Sequence, residues 1–75
     1  MVDFERPLDA LNNARNKRVI IELKNKKQIT GILKAFDIHI NIVLEDAEER
    51  EEEKTVRKLN NVFIRGDMIV LVSPA

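Results

Sequence analysis

The chain of 75 residues contains no cysteine, no tryptophan and no tyrosine, and it has a single histidine. Without cysteine it forms neither disulfides nor thiolate metal sites, which is compatible with a reducing compartment. No stretch approaches the ~18 consecutive apolar residues of a membrane span. The first residues include Asp3 and Glu5 and lack the apolar run of a signal peptide. We therefore expect a cytoplasmic protein.

The residues needed for catalysis are also scarce. His39 is the only histidine, and the only serine, Ser73, stands directly before Pro74. No nucleophile–base pair and no multi-histidine metal set can be assembled from these residues. The acidic run EDAEEREEE (45–53) lacks the spaced glycine and ligand pattern of a calcium loop. The sequence thus predicts a protein that is not an enzyme and has no cofactor or metal.

Acidic and basic residues balance at 13 each, but they are unevenly placed. Six basic residues fall between positions 15 and 27, and acidic residues dominate positions 45–53. The acidic run is expected to be an exposed, mobile connection, because so many charges cannot be buried together. The basic segment has two interpretations that the sequence leaves open, a solubilising face or a second contact to phosphates.

Hydrophobic periodicity predicts one domain, residues 1–75, with a helix followed by five strands. The helix is expected over 6–15, where Pro7 suits the first turn and apolar residues recur at spacing three. Alternation and turn residues predict the strands, with ranges 18–24, 28–37, 38–46, 55–65 and 68–73. Gly31 indicates a bend or a close backbone approach. Arg65-Gly66-Asp67 is expected to be a tight turn with a positive φ at Gly66.

Five short strands connected in this way are typical of a small barrel. The last strand, MIVLVS (68–73), is apolar and has no lysine or proline to protect an exposed edge. Pairing with a strand of a neighbouring copy would cover that edge, and repeated head-to-tail pairing closes into a ring. We therefore expect a homo-oligomeric ring, whose number of subunits strand pairing alone leaves open.

The stretch DIHIN (37–41) carries the most distinctive polar residues. As the beginning of the third strand it would place His39 and Asn41 on one face and the neighbouring isoleucines on the other. Taken singly, each residue has an ordinary structural explanation, since a histidine can be a satisfied structural residue and an asparagine can bond to local backbone.

Two separated motifs resemble the Sm and Sm-like protein family. GILKAFDIHINIVLEDAEE (31–49) is similar to the first family signature and IRGDMIVLVSP (64–74) to the second, in the right order. The compact form looks most like an archaeal Sm-like protein, with Ile40 where methionine is common. The resemblance implies a short N-terminal helix on a strongly bent, five-stranded antiparallel open barrel. It also implies a ring, commonly of seven copies, in which the fourth strand pairs with a neighbour's fifth.

The resemblance further implies a noncatalytic protein that binds uridine-rich single-stranded RNA at the inner rim of the ring, as a scaffold or chaperone in RNA processing. The expected RNA-binding residues are His39, Asn41, Arg65, Gly66 and Asp67, with Asp37 in support. His39 and Arg65 would stack on the base, and the Asn41 amide would match the edge of uracil. Asp67 is expected to hold that amide in place, and a backbone N–H at Gly66 or Asp67 to reach uracil O2. The alternative is a structural ring whose main partners are proteins.

Overall fold

The computed structural model describes residues 6–52 and 54–75. Its elements, in chain order, are α1 (Pro7–Asn13), β1 (Arg18–Leu23), β2 (Gln28–Phe36), β3 (Ile42–Glu51), β4 (Lys54–Ile64), a short 3-10 helix (Gly66–Met68) and β5 (Ile69–Pro74). The predicted order of one helix and five strands is confirmed. Residues 1–5, on which the prediction against a signal peptide rests, lie outside the described residues, as does Glu53 of the acidic run. Within the described ranges, no helix is long and apolar enough to cross a membrane.

Helix α1 packs one apolar stripe onto the sheet. Pro7 begins the helix, where its missing N–H leaves no hydrogen bond unmade. Leu11 is buried in the core, and Leu8 and Ala14 are partly buried against it. These three positions are the stripe that the spacing of apolar residues predicts.

The five strands form one antiparallel sheet in the order β4-β3-β2-β1-β5. Strand β1 pairs with β2 on one side and with β5 on the other, so that Ile21 lies opposite both Ile29 and Val72. Strands β4 and β5 are therefore the two outer strands, and each pairs with a single neighbour. The barrel is open between them, as expected.

Alternating side chains fill the interior of the bent sheet. The largest fully buried side chains are Val19, Ile21, Leu33, Ile42 and Leu44. The pairing of β2 with β3 shifts register around Gly31. A Cβ at Gly31 would lie 3.1 Å from both the Glu45 carbonyl oxygen and the Leu44 Cβ. The predicted close backbone approach at Gly31 is thus confirmed.

The acidic run is mostly strand, and the prediction of a mobile connection there is wrong. Strand β3 continues to Glu51, Ala47 within it is buried, and Glu48 and Glu49 lie opposite Lys58 and Arg57 of β4. Opposite charges on paired strands stabilise the pairing. Strand β4 supplies the basic partners of the acidic run, and a count of acidic residues along the sequence does not reveal them.

Candidate functional site

The segment 37–41 is a turn between β2 and β3 rather than the beginning of a strand. The Ile40 N–H donates to the Asp37 carbonyl oxygen at 3.0 Å, and Ile40 has a φ of 62°. The predicted alternation of faces across His39, Ile40 and Asn41 is therefore wrong. The Asp37 carboxylate explains the difference, because it accepts the backbone N–H groups of His39 at 2.8 Å and Asn41 at 3.2 Å. Such local bonds compete with strand pairing.

The Asn41 side chain connects this turn to the segment that follows β4. Its Nδ2 donates to Asp37 Oδ2 at 3.0 Å, and its Oδ1 accepts the Gly66 N–H at 2.8 Å. Both ends of the amide are thereby fixed. Asp37, not Asp67, orients the amide, so the role predicted for Asp67 in holding it is wrong. Because the Gly66 N–H is donated to Asn41, the Asp67 N–H is the one of the two predicted backbone groups that remains for uracil O2, and that contact stays a prediction.

Gly66 is required for close approach rather than for an unusual backbone angle. No glycine in the described ranges has a positive φ, so the predicted conformation of Gly66 is wrong. A Cβ at Gly66 would lie 2.0 Å from the His39 carbonyl oxygen and 2.9 Å from the Ile40 carbonyl carbon. Only glycine permits these two segments to pack main chain against main chain. Because Gly66 contacts the His39 backbone, this packing also brings Arg65, the residue before Gly66, close to the His39 segment.

Arg65 and Asp67 form an exposed ion pair beside this contact. Arg65 Nη2 lies 3.3 Å from Asp67 Oδ2, and the two side chains are 75% and 60% exposed. An ion pair this exposed contributes only about 0–1 kcal/mol to stability. Its effect is to restrict where the guanidinium points, while the guanidinium plane stays accessible to a ligand.

Hydrogen bonding favours the ionised form of Asp37. The Asn41 amide, more than any other group, lowers the pKa of the Asp37 carboxyl below its usual value of 3.8, and desolvation partly opposes this. The N–H groups of His39 and Asn41 and the charge of His39 also lower it. At neutral pH Asp37 therefore stays ionised and accepts hydrogen bonds from the turn. Its position as the first residue of the turn could have indicated this role from the sequence.

The site offers two flat side chains and one fixed amide. The His39 side chain is exposed, like that of Arg65, and Asn41 is half-buried. An amide oxygen has two lone pairs and an amide nitrogen two hydrogens, so Asn41 retains one acceptor and one donor position for a ligand. In the described part of the chain, no group of three or more His, Cys, Asp or Glu side chains could hold a metal ion.

Apolar side chains are exposed on both outer strands of the sheet. On β4 they are Val56 and Phe63, which are 50% and 62% exposed, and on β5 they are Val70 and Leu71, at 57% and 46%. Exposed apolar side chains along an outer strand are unusual in a protein that stays monomeric. They identify the two edges as surfaces for association.

Comparison with known proteins gives a family match over most of the chain. The LSM domain family matches residues 9–74. A protein of Methanosarcina barkeri described as snRNP Sm-like is 52% identical over 69 residues, which are 92% of this chain and 96% of the relative.

Solved structures share the fold closely. An Sm protein of Pyrococcus abyssi, determined in complex with a uridine heptamer, superposes with a TM-score of 0.91 at 38% identity, covering 95% of this chain and 100% of that one. The SmAP1 heptamer of P. aerophilum gives a TM-score of 0.88 at 33% identity, with 97% of each chain covered.

Proposed function

Because the chain belongs to the LSM domain family, we propose that it is a noncatalytic RNA-binding protein that assembles with its own copies into a ring. The ring holds uridine-rich single-stranded RNA at its inner rim and acts as a scaffold or chaperone in RNA processing in the cytoplasm. The binding residues are those of the two segments joined through Asn41, namely His39, Asn41, Arg65, Gly66 and Asp67, with Asp37 positioning them.

The observation that carries this proposal is the double anchoring of the Asn41 amide. Asp37 Oδ2 accepts from its nitrogen and the Gly66 N–H donates to its oxygen. An amide held in this orientation presents its remaining acceptor to the N3–H of uracil and its remaining donor to O4. Cytosine reverses the donor and acceptor on that edge, and the anchored amide cannot flip to match it. The proposed pocket therefore prefers uracil.

Stacking adds affinity without aromatic residues from the protein. A base placed between the His39 imidazole and the Arg65 guanidinium would gain stacking and cation–π energy, together about 1–3 kcal/mol for each base. Both side chains are exposed, and the packing of Gly66 on the His39 backbone brings their segments together.

Assembly multiplies these weak contacts. The exposed apolar residues of β4 and β5 fit pairing of β4 in one copy with β5 in the next. The solved P. aerophilum relative is a heptamer, which supports seven subunits here, and the P. abyssi relative was determined with a uridine heptamer, which supports uridine-rich RNA as the ligand. Identical pockets on one ring then bind one RNA strand through a high effective concentration.

The same residues favour binding over catalysis. The single histidine is assigned to stacking, and the Ser73 hydroxyl donates to the Pro74 carbonyl oxygen at 3.2 Å in β5. Covalent hydrolysis requires at least a nucleophile with an adjacent base, and His39 and Ser73 are not arranged as such a pair. Neighbouring copies in a ring would add only the same kinds of side chain.

The test is fluorescence anisotropy with labelled oligo-U and oligo-C on the assembled protein. We expect tighter binding of oligo-U, and its loss in the His39→Ala/Arg65→Ala variant. Lys54→Ala, an exposed residue of equal charge to Arg65 at the opposite end of β4, is the control and should bind like wild type. If the double variant keeps the ring mass and binds oligo-U normally, the pocket assignment is wrong and the ring with protein partners becomes the better explanation.

A further inference from the structure

Ile40, the residue between His39 and Asn41, has a backbone conformation that does not suit its side chain. Its φ of 62° lies in the left-handed region, where the Cβ crowds the following carbonyl oxygen. Within residues 6–52 and 54–75, six residues other than glycine have a positive φ, and Ile40 alone among them is β-branched. A conformation this unfavourable for isoleucine must be held by its surroundings.

The left-handed residue gives the turn 37–41 its closed shape. The Ile40 N–H donates to the Asp37 carbonyl oxygen at 3.0 Å, and the Asp37 N–H donates to the Asn41 carbonyl oxygen at 3.2 Å. The carbonyl groups of His39 and Ile40 both lie against Gly66. From this closed turn the Asn41 side chain accepts the Gly66 N–H. An extended segment would instead place His39 and Asn41 on one face, and these contacts would be lost.

The Ile40 side chain supplies apolar packing for the turn. It is half-buried and packs against the hydrophobic core. It also lies between two grooves that share helix α1 as a wall, one containing Leu8 and Ile38 and the other Leu11 and Gly66. Ile38, the other isoleucine of the turn, is 75% exposed and packs far less. Apolar contacts at Ile40 therefore offset the cost of its backbone conformation.

We propose that Ile40 is a positioning residue for base recognition, because its packed side chain holds the turn 37–41 in the left-handed form that directs the Asn41 amide. This inference rests on the proposed function. Ile40 does not contact the base, and it acts through Asn41 and His39. Apparent affinity scales with the fraction of molecules in the competent form, so a turn that opens more often binds oligo-U more weakly. Selectivity for uracil falls as well, since the amide is fixed at both ends only in the closed turn.

Two substitutions at position 40 separate the backbone conformation from the packing. Ile40→Thr keeps the β-branch, and with it the unfavourable backbone conformation, but it shortens the apolar side chain and adds a hydroxyl. Ile40→Gly removes all of the packing and adopts the left-handed form without strain. If Ile40 only filled space, glycine would be the more harmful substitution in every measurement. A positioning role predicts opposite orders for stability and for recognition.

The measurements are urea denaturation and fluorescence anisotropy with oligo-U and oligo-C, on protein of full ring mass. Ile40→Gly should have the lower unfolding midpoint, because it buries less apolar surface. Ile40→Thr should lower oligo-U affinity at least about fivefold and reduce the ratio of oligo-U to oligo-C affinity, whereas Ile40→Gly should stay within about twofold of wild type.

Glu52 provides the matched control pair. It also has a positive φ, of 51°, but it lies in the turn after β3, and the ten residues of that strand separate it from the turn 37–41. Glu52→Thr and Glu52→Gly should both bind oligo-U like wild type. A loss in Glu52→Thr equal to that in Ile40→Thr would show a general effect of strain and would overturn the proposal.

Hydrogen exchange of the Gly66 amide in the free protein tests the turn without RNA. This N–H is donated to Asn41 in the closed turn, so it should exchange at least about fivefold faster in Ile40→Thr than in Ile40→Gly. Failure of the proposed function looks different, because wild type would then not bind oligo-U although the exchange pattern at Gly66 is the one expected.

Other results overturn the proposal. Recognition that is weaker in Ile40→Gly than in Ile40→Thr would make Ile40 a packing residue only. Equal affinity and selectivity in wild type and Ile40→Thr would show that the turn closes without the isoleucine. Should Ile40→Thr fail to fold, Ile40→Val against Ile40→Asn makes the same comparison, because valine keeps the β-branch on a shorter side chain and asparagine accepts the left-handed form.

Discussion

The Oδ1 atom of Asn41 accepts the backbone N–H of Gly66 at 2.8 Å, although the two residues are 25 positions apart in the sequence. This bond joins the turn between β2 and β3 to the segment after β4. Asp37 completes the arrangement by holding the other end of the same amide. The site therefore depends on one hydrogen bond between the two segments and on the Asp37 bonds within the turn 37–41 that orient Asn41.

Replacing Gly66 with alanine should separate the two turns. The added Cβ would overlap the His39 carbonyl oxygen, which is backbone and cannot rotate away. We expect a loss of about 1–3 kcal/mol in the free energy of unfolding, measured by urea denaturation, together with loss of oligo-U binding. Asp67→Ala, at the next position, is the control for stability alone, because Asp67 belongs to the proposed site, and it should cost less than about 1 kcal/mol. A Gly66→Ala protein of unchanged stability and affinity would show that the close contact is unimportant.

Replacing Asn41 with aspartate should remove base discrimination while keeping the size of the side chain. The new carboxylate has no N–H to donate to Asp37, and its charge repels that of Asp37 beside it. We expect unfolding to become easier by about 1–3 kcal/mol and the ratio of oligo-U to oligo-C affinity to fall towards one. Asn12→Asp, on the exposed face of α1, makes the same chemical change outside the site. Discrimination retained in Asn41→Asp would contradict the role of the amide.

The contribution of Asp37 to stability should disappear in acid. Its pKa is lowered in the folded protein, so the ionised form stabilises the fold above the usual pKa of 3.8. That contribution is lost as the pH falls through the lower, folded pKa. The difference in unfolding free energy between wild type and Asp37→Asn should thus be constant above about pH 5 and shrink below about pH 4. Denaturation curves recorded at pH values from below 4 to above 5 are the measurement, and a difference that stays constant into acid would contradict the prediction.

A charge on either outer strand should prevent ring assembly without unfolding the subunit. Phe63 on β4 and Val70 on β5 are largely exposed in the single chain, so a glutamate at either position disturbs little of the core. We expect Phe63→Glu and Val70→Glu to have the mass of smaller species by light scattering, with unchanged circular dichroism. Ile38→Glu is the matched control, because Ile38 is 75% exposed but lies in the turn 37–41. A full-size ring in both edge variants would show that β4 and β5 do not associate.

Most of the fold could be predicted from local patterns. The stripe of Leu8, Leu11 and Ala14 predicted α1, and alternation predicted most of the strand boundaries to within a few residues. The acidic run was misjudged because its partners, including Lys58 and Arg57, come from a separate strand. Periodicity describes which face a side chain takes, but it does not indicate the charge of the residue opposite.

The chemistry of the site was already visible in the order of residues along the chain, since two family-like motifs contain the histidine, the amide, the arginine and the glycine. Their connections depended on the folded chain. Asp37, expected only to give support, anchors the turn, and Gly66 serves a backbone contact instead of a positive φ. Hydrogen bonds within a few residues compete with strand pairing, and contacts across 25 positions form only after the sheet brings the two turns together. A linear pattern can therefore name the participating side chains, whereas their partners follow from the packing of one turn on the other.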